Sequence, residues 1–215
     1  MNVKAILLLG GMGTRVSSEK MPKQFLPLGE KKIYEVTLET FEKSNLFQDI
    51  VLVSPENHYV KGSVIGGKTR QESSYQGLLA LGKNCEYVLI HDAVRPFVSK
   101  DILERNIKAV EKHNAVNTCI PSADTLNIIE DGFISKIPDR NIIMRGQTPQ
   151  TFSYPLILDA HRKTKQTNAF DDCSLVLEMN HKVFIVEGSS QNFKITTDFD
   201  YFLAKNFYEK ISLNS

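Results

Sequence analysis

The chain has 215 residues, 41% of them hydrophobic, which suits a single domain with one sizeable core. Its 26 Lys and Arg against 25 Asp and Glu leave a net charge of +1, which excludes an overall basic field for a nucleic-acid backbone, so an anionic partner must meet a local cluster. Cys85, Cys119 and Cys173 fit neither zinc spacing nor an even disulfide framework, and the apolar run Val3 to Leu9 is too short for a bilayer and lacks a secretory cleavage pattern. The expectation is a cytoplasmic protein with reduced, mostly buried thiols and no membrane partner.

Val3 to Leu9 reads as a strand buried on both faces and running into Gly10-Gly11. Ile33 to Lys43 carries Val36, Leu38 and Phe41 among charges, as a helix does, and Asp49 to Ser54 returns to strand composition. Thr69 and Glu72 form a capping-box pair opening a helix that ends near Gly82. A buried strand follows at Tyr87 to Ile90, then a helix capped by Ser99 and running to Lys112, then a strand at Ala115 to Ile120. This alternation predicts an α/β fold, a mostly parallel sheet with helices on both faces, whose ligands bind beyond the carboxyl ends of the strands.

The alternation breaks between Pro121 and Gly146, where Thr125 to Ile129 and Phe133 to Ile137 flank Glu130-Asp131-Gly132, a hairpin signal. The segment has too little apolar material for its own core, which leaves a surface decoration or an arm gripping a second subunit. Beyond it, Pro155 to Lys163 and Asp171 to Met179 read as helices, Lys182 to Val186 as a strand and Asp198 to Lys210 as a closing helix.

The first strand ends in Leu9-Gly10-Gly11-Met12-Gly13-Thr14-Arg15, and a basic residue returns at Lys23. Glycines let backbone N–H groups approach a polyphosphate, and Arg15 and Lys23 can balance its charge; a tight turn with solvated basic residues is the bland alternative. The spacing is neither a Walker loop nor a dinucleotide fingerprint. After the third strand, Ile90-His91-Asp92-Ala93-Val94-Arg95 places Asp92 just past a carboxyl end. There a carboxylate can hold Mg2+ against phosphate oxygens, or else pair with Arg95 or cap a turn. His91 reads as a packed, hydrogen-bonded residue rather than a base. Gly66-Gly67-Lys68-Thr69-Arg70-Gln71-Glu72-Ser73 opens a helix through a turn that can read a base edge, with Arg70 and Ser73 close by, although capping alone explains Thr69 and Glu72. Lys194, taken alone, is an ordinary surface lysine.

Together, Gly-Gly-Met-Gly-Thr-Arg with Pro-Lys-Gln-Phe, His-Asp-Ala-Val-Arg-Pro-Phe, Gln147-Thr148-Pro149-Gln150 and Phe-Lys-Ile-Thr run in this order over nearly the whole chain. In that combination the sequence resembles the 2-C-methyl-D-erythritol 4-phosphate cytidylyltransferases and their relatives, the ribitol-5-phosphate cytidylyltransferases. The resemblance implies a Rossmann-like nucleotidyltransferase fold in which Leu9, Gly10, Gly11 and Gly13 hold CTP and Arg15 and Lys23 meet its triphosphate. It implies cytosine and ribose contacts from Gly67, Arg70 and Ser73, nucleotide contact at Asp92 and Ala93, and Mg2+ on Asp92. Arg95, Thr148, Lys194 and the acidic pair Asp171-Asp172 fall near the acceptor. It also turns the segment 121–146 into an arm exchanged within a homodimer, so that Thr125 and Arg140 reach the acceptor phosphate in the partner's site.

The chemistry agrees, because a phosphate monoester is already ionised at neutral pH and attacks the α-phosphorus of CTP without a catalytic base. Arg15, Lys23 and Lys194 then stabilise the charge accumulating on pyrophosphate. Leu9-Gly10-Gly11 departs from the alanines many family members carry before the glycine, and Glu56 to Ile65 is short, but neither change removes a charge. Methylerythritol phosphate is the favoured acceptor because that branch is the more widespread. Ribitol 5-phosphate is the alternative, a uridylyl- or guanylyltransferase on the same scaffold differs in base recognition around Gly67 to Ser73, and a non-catalytic nucleotide-binding protein is the remoter one.

Overall fold

A computed structural model describes residues 1–10, 21–82 and 84–213. In chain order the elements are β1 (Val3–Leu8), β2 (Pro27–Leu28), β3 (Lys31–Lys32), α1 (Ile33–Ser44), β4 (Asp49–Ser54), β5 (Val64–Ile65), α2 (Arg70–Leu81) and β6 (Tyr87–Asp92). They continue as α3 (Lys100–His113), β7 (Ala115–Pro121), β8 (Ile128–Glu130), β9 (Phe133–Lys136), β10 (Met144–Ser153), α4 (Tyr154–Lys163), α5 (Asp172–Glu178), β11 (Phe184–Glu187) and α6 (Asp198–Ser212).

Seven of the strands form one sheet in the order β11-β7-β10-β6-β1-β4-β5. Its two faces are legible in β1, whose alternating side chains bury in opposite directions: Ile6 and Leu8 pack with Leu78, Ile157 and Leu175, while Ala5, Leu7 and Leu9 pack with Phe41, Ile102 and Leu103. The first group joins α2, α4 and α5 to one face, and the second joins α1 and α3 to the other. Each fully buried Leu or Ile contributes roughly 1.5–3 kcal/mol, so both layers hold the sheet.

The helix ends follow the sequence signals. Thr69 caps α2, its Oγ1 accepting from the Glu72 N–H at 3.0 Å while Glu72 accepts from the Thr69 N–H at 3.2 Å, and the helix stops at Gly82, whose φ is 69°. Ser99 caps α3 by accepting from the Ile102 N–H at 3.3 Å.

The sheet departs from the sequence reading at β10, which runs antiparallel between β6 and β7; the other pairings within the seven-stranded sheet are parallel. Nothing in Arg145-Gly146-Gln147-Thr148-Pro149-Gln150-Thr151 has strand alternation, and a proline inside a central strand argues against one. The structure accommodates it with an irregularity between Gly146 and Gln150, which lifts Pro149 out of the ladder and turns Gln147, Thr148 and Gln150 into a buried polar row.

Between β7 and β10 the chain leaves the sheet as the expected hairpin. Asp131 and Gly132 both have positive φ, 51° and 85°, the backbone of a two-residue primed turn joining β8 to β9. The arm is exposed from Ala123 to Ile137. Cys85, Cys119 and Cys173 are free and buried, and no helix among the described residues is long and apolar enough to cross a membrane.

Candidate active site

The carboxyl ends of β1, β4 and β6 converge on one edge of the sheet. Leu9 donates its N–H to the Val53 carbonyl at 2.8 Å, and Ala93 donates to the Leu8 carbonyl at 3.0 Å, so the end of β1 stands directly beside the Asp92-Ala93 turn. The start of α2 closes the third side. A Cβ built on Gly66 would stand 2.7 Å from Ser73 Oγ and 3.1 Å from Val53 Cγ1, and one on Gly10 would stand 3.2 Å from the same Ser73 oxygen. At both positions a side chain would press on the buried Ser73, so the glycines let the end of β1 and the start of α2 approach closely. Ser73 Oγ itself donates to the Thr69 carbonyl at 2.9 Å.

Asp92 is the centre of the site. It is buried at the end of β6, with Lys194 Nζ 2.8 Å from Oδ2 and Arg70 Nε 3.3 Å from Oδ1. Burial alone would raise its pKa, but Lys194, Arg70 and Arg95 together hold the carboxyl well below its usual range, so it is ionised. It does not pair with Arg95. That guanidinium donates from Nη1 to the Asn192 carbonyl at 2.8 Å, and its Nε, like Nη2 of Arg70, is buried without a hydrogen-bond partner among the described residues. Two unsatisfied charged donors beside an ionised carboxylate suit an anionic ligand.

Thr148 fixes the backbone beneath Asp92 by accepting from its N–H at 3.1 Å. The same hydroxyl lies 3.0 Å from His91 Nδ1, and His91 Nε2 lies 3.1 Å from the Arg95 carbonyl. A carbonyl can only accept, so Nε2 carries the proton, Nδ1 accepts from Thr148, and the ring is neutral. Burial pushes its pKa down to about 4, in keeping with a packed histidine rather than a base.

The remaining predicted residues separate. Lys23 is buried in a short 3-10 turn, Lys23–Phe25, whose neighbour Gln24 donates to the Leu9 carbonyl at 2.6 Å, which ties this turn to the glycine loop. Gly67 lies beside Glu72 at the mouth of α2. Asp171 caps α5, accepting from the Ser174 N–H at 2.9 Å and from Gln150 Nε2 at 3.1 Å, so both its oxygens serve the fold. Thr125 and Arg140 lie exposed on and below the arm, and among the described residues no hydrogen bond or ion pair joins them to the Asp92 cluster. Gly11, Gly13 and Arg15 lie outside the described residues. Sequence reasoning did not find Asn192, fully buried, which donates to the Thr148 carbonyl at 2.8 Å, nor the part Asp172 plays behind Arg70. The only signal for the first was its place two residues before Lys194.

A metal ion would find one ionised carboxylate here, and the described residues hold no group of three or more His, Cys, Asp or Glu side chains able to cage one. Asp92 is the side chain that would hold Mg2+, an ion that often takes only one or two protein carboxylates.

The model of one protein family, 2-C-methyl-D-erythritol 4-phosphate cytidylyltransferase, matches residues 3–210. A protein of that name from Clostridioides difficile (strain 630) is 37% identical over 229 residues, spanning 98% of this chain and 96% of its own. A ribitol-5-phosphate cytidylyltransferase from Vibrio parahaemolyticus serotype O3:K6 is 35% identical over 226 residues, covering 95% and 94%. Among solved structures, 4-diphosphocytidyl-2C-methyl-D-erythritol synthase from Anaerococcus prevotii superposes with a TM-score of 0.82 at 30% identity, over 97% of this chain and 98% of that one. The 2-C-methyl-D-erythritol 4-phosphate cytidylyltransferase from Thermus thermophilus gives 0.80 at 30% identity, over 97% and 100%. With a Rossmann-like sheet, an ionised aspartate among cations at its carboxyl edge and family-wide similarity along its length, the chain belongs to the 2-C-methyl-D-erythritol 4-phosphate cytidylyltransferase family.

Proposed function

We propose that the chain joins CTP to 2-C-methyl-D-erythritol 4-phosphate, giving 4-diphosphocytidyl-2-C-methyl-D-erythritol and pyrophosphate. The observation that carries this is Asp92, buried and ionised between Lys194 and Arg70 at the carboxyl edge of the sheet, in a chain of this family. The cytidine sits by the glycines at the end of β1 and the start of α2, next to Ser73, and Arg70 and Arg95 supply positive charge towards its phosphates. The acceptor phosphate attacks the α-phosphorus, the bond to the β-phosphate oxygen breaks, and pyrophosphate leaves with its charge met by Arg15, Lys23 and Lys194. Mg2+ on Asp92 would supply further neutralisation of phosphate charge. No side chain has to remove a proton, which agrees with a neutral, fully buried His91.

The arm belongs to the same reading. Phe133 is 78% exposed, and Leu126, Ile128, Ile129, Ile134 and Ile137 are exposed with it, an apolar content on both faces of the hairpin that water does not stabilise. Covered by a second copy, the arm would form a homodimer and deliver Thr125 and Arg140 to the partner's acceptor site. The test of the whole reading is pyrophosphate release from CTP and Mg2+ with methylerythritol phosphate and, separately, with ribitol 5-phosphate. Preference for the first supports it, preference for the second replaces the acceptor, and release with neither removes the activity.

A further inference from the structure

Asp172 is 1% exposed, on the first turn of α5, and the reaction described above gives it no task. Its surroundings are nevertheless built with care. Oδ1 accepts from Ser74 Oγ at 2.6 Å and faces His161 Nε2 at 2.9 Å, and its backbone N–H donates to Gln150 Oε1 at 3.0 Å. Contacts from α2, α4 and β10 therefore fix the carboxylate, and its other oxygen lies 2.7 Å from Arg70 Nη1. Arg70 in turn reaches Asp92 with Nε alone, at 3.3 Å. The guanidinium is planar and rigid, so holding Nη1 on Asp172 sets the direction of Nε.

Resting on the proposed cytidylyl transfer, we infer that Asp172 is a positioning residue that restrains Arg70 from capturing Asp92. Arginine and carboxylate otherwise favour a two-pronged pair, which would occupy both Asp92 oxygens and displace Lys194 from Oδ2. With Nη1 tied back to a buried anion, Arg70 takes one oxygen of Asp92 and leaves the second to Lys194 and the substrate side. The ionisation of Asp172 is consistent with this: burial would raise its pKa, but Arg70, His161 and Ser74 hold it below the usual range.

The test is a double-mutant cycle on the intact enzyme at a temperature well below unfolding, with Asp172→Asn, Arg70→Met and the double variant, reading kcat and the KM for CTP. Removing both members of a buried pair avoids the lone buried charge that a single change leaves, so the double variant is the safest of the three to fold. Asp172→Asn alone is expected to lower kcat by about tenfold, since it frees Arg70 to misplace Asp92, and to change kcat by less than about twofold when Arg70 is already Met. Ile157→Val, a core change in the neighbouring helix α4, serves as the stability control and is expected to leave kcat unchanged. Equal losses in both backgrounds, a loss confined to the KM for CTP, or no loss from Asp172→Asn would each overturn the inference. Should Asp172→Asn fail to fold, Asp172→Glu takes its place under the same criterion: it keeps the buried charge but carries it one methylene further, so Nη1 and with it Nε lose their direction. An unmodified enzyme inactive with either acceptor would instead remove the underlying reaction.

Discussion

Lys194 Nζ stands 2.8 Å from Asp92 Oδ2 although 102 residues separate them in the chain. The pair joins the end of β6 to the segment leading into α6, and it places a half-exposed cation beside the buried carboxylate. Lys194→Ala is expected to lower kcat/KM by about 100- to 1000-fold, the range for loss of one charge-stabilising donor. Steady-state rates of pyrophosphate release check this, and a change of only a few-fold would take Lys194 out of the reaction.

Asp92→Asn should abolish metal-dependent turnover without unfolding the protein. Arg70 keeps Asp172 as its counter-ion, Lys194 is open enough to find water, and Arg95, which loses its nearby carboxylate, keeps the Asn192 carbonyl as acceptor. Circular dichroism and a thermal melt report the fold, and unaltered turnover in Mg2+ would exclude Asp92 from the mechanism.

Gly66→Ala puts a methyl group 2.7 Å from the buried Ser73 Oγ. Because the packed Val53 side chain cannot give way, the clash displaces the start of α2, where the proposed cytidine site lies, and the KM for CTP should rise about tenfold with a smaller change in the KM for the acceptor. An equal rise for both substrates would contradict a cytidine site there.

Phe133→Asp places a charge at the most exposed apolar position of the arm. Sedimentation should then show a shift from dimer to monomer, with turnover falling alongside because Thr125 and Arg140 no longer reach a partner's site. A fully active monomer would end the exchanged-arm reading.

His91, with its pKa held near 4 by burial, stays neutral in the fold while the unfolded chain takes up a proton below about pH 6.5. Protons then bind more to the unfolded state, so this residue's contribution to stability falls as the pH drops from 6.5 towards 4, by up to about 1.4 kcal/mol per unit. Urea titrations at pH 7.5 and pH 5 should show a larger loss for the native protein than for His91→Gln. Equal losses would mean His91 is not the group responsible.

Most of this arrangement was legible in the sequence where hydrophobic pattern and local chemistry point the same way. The apolar run of β1 and the capping pair Thr69 and Glu72 stand where their residues imply, and Asp92, expected just past a strand, is the last residue of β6. β10 was not legible, because its polar side chains and Pro149 suit a loop and only the tertiary partners Asn192, His91 and Asn117 make them a buried strand. Asp172 was hidden for a related reason. Next to Asp171 it reads as half of an acidic pair, whereas the fold turns one carboxylate to cap a helix and sends the other to an arginine 102 residues away.

The antiparallel insertion of β10 also dictates an order of assembly. β6 and β7 are consecutive in the sheet-forming part of the chain, yet they are not neighbours; the gap between them is filled by a strand that comes more than fifty residues after β6. A nascent chain that has released α3 and β7 therefore carries two bare edges at the middle of its future sheet, and closes them only when Met144–Ser153 arrives. The hydroxyl that steadies Asp92 arrives on that same strand. Closure of the sheet's centre and support of Asp92 come together, with β11 and Lys194 still to follow, so a truncated product ending at the arm would be both sticky and inert.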